Sequence, residues 1–222
     1  MKAKDKAPHI FRILHEQFPD AHCELIHNNA FELLIATVLS AQTTDVNVNK
    51  ATPALFKKYP TAEKLAKAPL EKVEELVHST GFYKTKAKNI IACAQKLVEL
   101  YDGEIPRSIE ELVVLPGVGR KTANVVLGNA FNINLGIVVD THVNRISGLL
   151  GLTKNDDPVK IEKDLVKLFP NEHWTLISHL MIFLGRRVCI ARRPQCEKCQ
   201  LQSYCTYFEK KQAKDLKLSK AK

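Results

Sequence analysis

Four cysteines late in the chain, Cys189, Cys196, Cys199 and Cys205, stand at C-x6-C-x2-C-x5-C in the run CIARRPQCEKCQLQSYC. Four thiols so close together complete one coordination shell, and soft thiolates select an iron–sulfur cluster or a structural zinc. The segment is too short and too polar to bury a core unaided, so a metal group has to hold it. Arg192, Arg193 and Lys198 lie in the same stretch. A pinned loop that displays cations is suited to a polyanion.

A second constellation is LPGVGRKTA, Leu115 to Ala123, set between a short helical pattern at Ile109–Val114 and an apolar one at Thr122–Ala130. Pro116, Gly117, Val118 and Gly119 make a tight turn, and the glycines leave backbone N–H groups unscreened where the second helix starts. Such a helix start binds phosphate, and Arg120 and Lys121 follow at once. The pattern reads as a helix-hairpin-helix that grips a DNA backbone without reading bases, against an ordinary turn between helices. Lys121 falls in the first turn, where the helix dipole disfavours a cation. A nucleophilic amine and one more phosphate contact both account for it.

In IVVDTHV, Ile137 to Val143, Asp140 follows an apolar run and precedes a helix. The default role is an N-cap, filled by Asp140 or Thr141. A carboxylate there can also stabilise a cation or take a proton from an amine. His142 reads as a packed histidine and Arg145 as support for the loop. SAQTTD, Ser40 to Asp45, ends an apolar helix. It offers Ser40 and Asp45 as pocket residues and Gln42 as a side chain to fill the gap left by an extruded nucleotide, against a plain polar helix-ending loop. Phe82, in the loop GFYKTK, reads as an aromatic that stacks on bases, or as core.

The elements that must position these residues are helical. In the 222-residue chain, 45% hydrophobic and 26% charged, apolar residues recur at helical spacing, most clearly Ala87, Ile90, Ile91, Ala94, Leu97, Val98 and Tyr101. Similar faces run through Phe31–Ser40, Leu70–Ser79, Val159–Phe169 and Trp174–Arg186. Pro53, Pro60, Pro69 and Gly81 read as breaks between them. Only Gly136–Val139 looks like a strand, so the expected fold class is all-α. The lysine-rich tail Lys210–Lys222 has few apolar residues past Phe208 and is expected to fray. A net charge of +9 and a pI of about 9.2 favour nucleic acid or an anionic membrane surface as partner. No apolar run reaches the roughly 18 residues of a membrane span, and MKAKDKAPHIFRIL has no apolar leader core. The expected location is the reducing cell interior, cytoplasmic and associated with the nucleoid in a bacterium. There, clustered cysteines mean metal rather than disulfide. Cys23 and Cys93 stand alone.

Together, LPGVGRKTANVV, VDTHVNRI, LLIATVLSAQTTDVNVNKA and the cysteine quartet resemble the endonuclease III family, bifunctional DNA glycosylases of the helix-hairpin-helix superfamily. The likeness runs in the same order over nearly the whole chain and leaves out the lysine tail. It implies two α-helical domains flanking a DNA-binding cleft: a six-helix domain with the hairpin over 23–134, and a cluster domain assembled from 1–22 and 135–222. Lys121 matches the family's Schiff-base lysine and Asp140 its catalytic aspartate. The four cysteines match the ligands of one [4Fe–4S] cluster, with zinc as the alternative for the same quartet. Arg192 and Arg193 fall in the loop that touches DNA phosphate, Gln42 matches the residue that enters the gap, and Phe82 falls where the family often carries an aliphatic wedge. The resemblance implies a monomer acting on double-stranded DNA with damaged pyrimidines or abasic sites. The resemblance also implies removal of oxidised pyrimidines and cleavage 3′ to the abasic site by β-elimination. Two other readings share some of these features. A monofunctional mismatch glycosylase of the adenine-removing kind lacks a lysine at position 121. In a non-catalytic iron–sulfur DNA-binding protein, Lys121 and Asp140 are incidental.

Overall fold

Asn29, Thr44, Thr61, Ser108, Asp140 and Asp157 each stand where the chain turns from extended into helical backbone. Each accepts, through its side chain, the amide of the residue three further on. These short polar side chains satisfy helix-start donors that have no partner within the helix. The computed structural model describes residues 1–219, with 217–219 by backbone alone, and every element in it is helical; among the described residues there is no strand. The segment 136–139 is extended but unpaired. The chain divides into two units, 23–133 and 1–22 with 134–222.

The unit 23–133 holds α2 (Ala30–Leu39), α3 (Asp45–Lys58), α4 (Ala62–Ala66), α5 (Leu70–Val77), α6 (Tyr83–Tyr101), α7 (Ile109–Leu112) and α8 (Arg120–Phe131). Helix α2 is apolar on all sides, with Phe31 through Leu39 all buried, so it takes the centre. It packs on α3, α6 and α8. Leu55, Ile90, Leu97 and Val126 close around Leu34 and Ile35 in one core. Truncating a buried leucine such as Leu34 to alanine costs about 2–5 kcal/mol. Pro53, expected to break an element, lies inside α3. Val48, Ala51, Thr52, Leu55 and Phe56 bury one face of that helix, and this packing outweighs the lost hydrogen bond. GFYKTK is a loop only as far as Phe82, since Tyr83 already opens α6.

The other unit holds α1 (Ala3–Gln17), α9 (Thr141–Leu150), α10 (Pro158–Leu165), α11 (Trp174–Arg187) and α12 (Thr206–Ser219). Helix α9 packs on α10, α11 and α12, and α1 lies on α11. Phe183, Ile10, Leu14, Ile146, Leu180 and Leu201 share its core. The buried Lys6 ammonium donates to the Leu150 carbonyl at 3.0 Å and to Thr206 Oγ1 at 2.8 Å, so it ties α1 to the end of α9 and the start of α12. The tail expected to fray from Lys210 is helical as far as Ser219. Its lysines, glutamine, alanine and leucines favour helix, and α12 starts from contact with α9. Residues 220–222 lie outside the described residues. Among the described residues, no helix is long and apolar enough to cross a membrane.

Candidate nucleic-acid interface and metal centre

In the hairpin, the amides of Leu115 and Val118 donate to the carbonyls of Leu112 and Leu115, both at 3.1 Å. Gly117 has φ +79°, and a Cβ there would stand 3.1 Å from Val38 Cγ1 and 3.2 Å from Asn89 Cβ. Both the backbone angle and the close approach to α2 and α6 demand glycine. Gly119 is different: it has ordinary extended backbone, and a Cβ there would meet nothing within 4 Å. It is the N-cap of α8 and supplies no side chain to the helix start. The turn thus buries Val118 and half-buries Pro116, and leaves Gly117, Gly119, Arg120 and Lys121 exposed. Backbone amides and cations at one exposed helix start form an anion site. Lys121 stands in the first turn of α8.

Two further exposed residues of the same unit, Gln42 and Phe82, are non-glycine residues in the left-handed region, at φ +54° and +48°. Side chains rarely adopt that backbone, and it stores about 1–3 kcal/mol of strain where the surroundings impose it. Phe82 is 70% exposed, so it is not core. Gln42 follows Ser40, which caps the end of α2 and donates through Oγ to the Thr37 carbonyl at 2.8 Å. Half-buried Asp45 opens α3.

In the other unit Asp140, not Thr141, caps α9: its Oδ1 accepts the Val143 amide at 2.8 Å. That bond leaves the second carboxylate oxygen for other work. His179, on α11, feels the Asp140 charge. Burial pushes His179 down to about 4, His22 lowers it further, and Asp140 opposes both. His179 is therefore neutral at neutral pH. The Nδ1 of His142 is buried without a partner among the described residues. It sits against Gly185, where a Cβ would clash with that nitrogen.

The four cysteines line one small apolar pocket, together with Leu149, Val188, Pro194 and Phe208. None of the four is paired in a disulfide. Burial raises the pKa of Cys189 and Cys199, Arg145 pulls that of Cys189 back, and the neighbouring cysteines raise both. Four sulfurs crowded on one apolar pocket suit a group that takes them as thiolates. Four cysteine sulfurs lining one pocket are the donor set of an iron–sulfur cluster or of a structural zinc. The loop is carried on 3-10 turns at Cys196–Lys198 and Gln202–Tyr204, and Gln202 Nε2 donates to the Cys196 carbonyl at 2.6 Å. Arg145 Nη1 donates to Cys189 Sγ at 3.6 Å, so the residue expected to support the 137–143 segment instead reaches the first cysteine. Arg192 and Arg193 are exposed on the same loop.

Thus the hairpin, Lys121, Gln42, Phe82, Ser40 and Asp45 belong to one unit, and Asp140, His142, the cysteines and the arginine pair to the other. Sequence reasoning passed over His179 and Gly185. The signal for Gly185 was a glycine inside an apolar helix, which marks a close approach. His179 had none, because its nearness to Asp140 arises from the packing of α11 on α9.

Residues 35–171 match the HhH-GPD superfamily of base excision DNA repair proteins, and residues 189–205 match the iron–sulfur binding domain of endonuclease III. The chain is 53% identical over 202 residues to endonuclease III of Synechocystis sp., covering 91% of this chain and 92% of that protein. Among solved structures it is similar to a non-covalent endonuclease III–DNA complex, with TM-score 0.90, 47% identity, and 96% and 100% of the two chains covered. It is also similar to a trapped covalent endonuclease III–DNA intermediate, the estranged-adenine complex, with TM-score 0.89, 47% identity and the same coverage.

Proposed function

The chain belongs to the endonuclease III family of helix-hairpin-helix base excision DNA repair proteins, and from that premise we propose that Lys121 and Asp140 carry its chemistry. It is a DNA glycosylase with abasic-site lyase activity, it binds DNA, and it carries a [4Fe–4S] cluster. We assign the cluster to Cys189, Cys196, Cys199 and Cys205. When bound, it would supply the fold of the loop 189–205.

The observation that carries the assignment is Lys121, exposed in the first turn of α8 beside the hairpin's anion site. The damaged nucleotide leaves the stack so that its sugar can be reached. The neutral Lys121 amine attacks C1′, the bond from C1′ to the base breaks, and the base departs with the bonding electrons and gains a proton. The amine nitrogen, having lost a proton, then forms a double bond to C1′ as the C1′–O4′ bond breaks and O4′ takes a proton, which opens the sugar ring and gives a protonated imine between Nζ and C1′. Removal of a C2′ proton then expels the 3′ phosphate, which cuts the strand by β-elimination. Asp140 stabilises the positive charge that builds at C1′ and accepts a proton from the amine.

Pro116, Gly117, Val118, Gly119 and Arg120 hold phosphate, and Arg192 and Arg193 hold it from the cluster loop. Gln42 enters the gap left by the extruded nucleotide, Phe82 wedges the opposite strand, and Ser40, Asp45 and His142 line the base pocket. The substrate class is oxidised pyrimidine in duplex DNA, and abasic sites, handled by a monomer in the cytoplasm. An adenine-removing reading has no use for a lysine at position 121, and Lys121 favours the imine route over attack by water.

Borohydride reduces an imine to a stable amine and so tests the assignment. With duplex DNA holding one thymine glycol, the protein gives a covalent protein–DNA band and Lys121→Ala gives none. An undiminished band from Lys121→Ala overturns Lys121 as nucleophile.

A further inference from the structure

Lys86 is a buried cation that the reaction above does not use. Only 5% of it is exposed, and burial alone pulls its pKa below that of an ordinary lysine. A buried lysine is costly unless its donors are engaged, and here the Nζ donates to the Thr80 carbonyl at 2.6 Å. The backbone amide of the same residue donates to the Phe82 carbonyl at 3.1 Å. Lys86 therefore grips the chain on both sides of Gly81 and Phe82.

Those two residues are consecutive and both left-handed, at φ +67° and +48°. Glycine adopts that backbone freely, whereas phenylalanine is strained in it and persists there only when held. The approach to the turn is fixed as well. Buried Thr80 donates from Oγ1 to the Val77 carbonyl at 2.7 Å, and the His78 and Tyr83 rings meet at 4.4 Å between centroids, bracketing the turn. At its tip the Phe82 ring stands in solvent. A strained tip, clamped from beneath by a buried ammonium and crowned by an exposed aromatic, is a display device.

We propose that Lys86 is the positioning residue for Phe82, holding the strained backbone that aims the ring into the DNA stack. The proposal rests on the reading of Phe82 as a wedge, and its test separates the two. The proteins compared are wild type, Lys86→Met, Phe82→Ala and the double variant, on a duplex with thymine glycol opposite a fluorescent adenine analogue that brightens when unstacked. Three quantities are measured: melting temperature, the fluorescence rise on binding, and the single-turnover rate of strand cleavage.

Lys86→Met keeps the length and apolar stem of the side chain and is expected to melt near wild type. It reduces the fluorescence rise and slows cleavage by about tenfold, since a small misplacement of a substrate-contacting group costs one to two orders of magnitude. The double variant is no slower than Phe82→Ala, because Lys86 acts only through that ring. If Lys86→Met folds poorly, Lys86→Leu, which also lacks a donor, faces the same comparison. A wild-type rate for the Lys86 variant, with Phe82→Ala impaired, overturns the positioning role alone, as do losses that multiply in the double variant. A wild-type Phe82→Ala overturns the wedge and the positioning role together.

Discussion

In the proposed reaction Asp140 does two jobs with one carboxylate, and two substitutions separate them. Its Oδ1 caps α9 through the Val143 amide, while the negative charge is assigned to the chemistry. Asparagine caps a helix as well as aspartate does, and alanine does not. Asp140→Asn is therefore expected to melt with wild type and to lose activity by about 10²–10³-fold. Asp140→Ala loses the activity and about 1 kcal/mol of stability besides. Melting curves and single-turnover cleavage of the two variants check this, and a destabilised asparagine variant would show that the charge itself holds the helix. The bond to Val143 also settles a choice that the sequence left open, because Asp140 and Thr141 were equal candidates for the cap. Only the backbone angle at the start of α9 separates them.

At the scale of elements, the hairpin contains two glycines with different duties. Gly117 is required by its φ of +79° and by its approach to Val38 and Asn89, while Gly119 is bounded by open space. Gly117→Ala is expected to cost about 1–3 kcal/mol through strain and crowding. Gly119→Ala should fold as wild type yet bind DNA more weakly, because its methyl group stands where phosphate approaches the α8 amides. Melting temperature and affinity for undamaged duplex, taken together, distinguish them; a Gly119→Ala variant with full affinity would move the phosphate site elsewhere. The all-helical character was legible from the 3.6-residue spacing of apolar residues, and the hairpin and cysteine loop from their spacing. What was not legible has one physical cause, that packing decides it. Pro53 is carried inside α3 by the buried face around it. The lysines of α12 stay helical to Ser219. Lys86 and His179 showed nothing in sequence, since a lysine in a lysine-rich stretch and a histidine in an apolar helix become special only through neighbours from other elements.

The molecule as a whole carries a net charge of +9, and its binding to undamaged duplex should weaken steeply with salt as counterions are released. On the proposed assignment, replacing Arg192 and Arg193 together with alanine removes two phosphate contacts, which should shallow the log–log salt slope by about 1.8, while imine trapping on bound substrate persists. An unchanged slope would exclude the pair from the interface. Stability should also follow pH through His179. Its pKa lies at about 4 in the folded protein and near 6.5 in an unfolded chain, so unfolding takes up a proton between those values. The contribution is complete above about pH 6.5 and is lost as pH falls towards 4, up to about 3 kcal/mol in all. Denaturant titrations at pH 7 and pH 4.5 should show a smaller loss for His179→Gln than for wild type, and an equal loss would place the acid sensitivity in other groups. Lys6 has a consequence for the order in which the protein is made. Its two partners, Leu150 and Thr206, lie 144 and 200 residues later in the chain. A ribosome delivers α1 before the whole of 23–133, which has its own core and can settle while synthesis continues. Helix α1 has to wait for α9, α11 and the start of α12 to emerge behind that unit. A helix synthesised before the unit 23–133 finds its place after it.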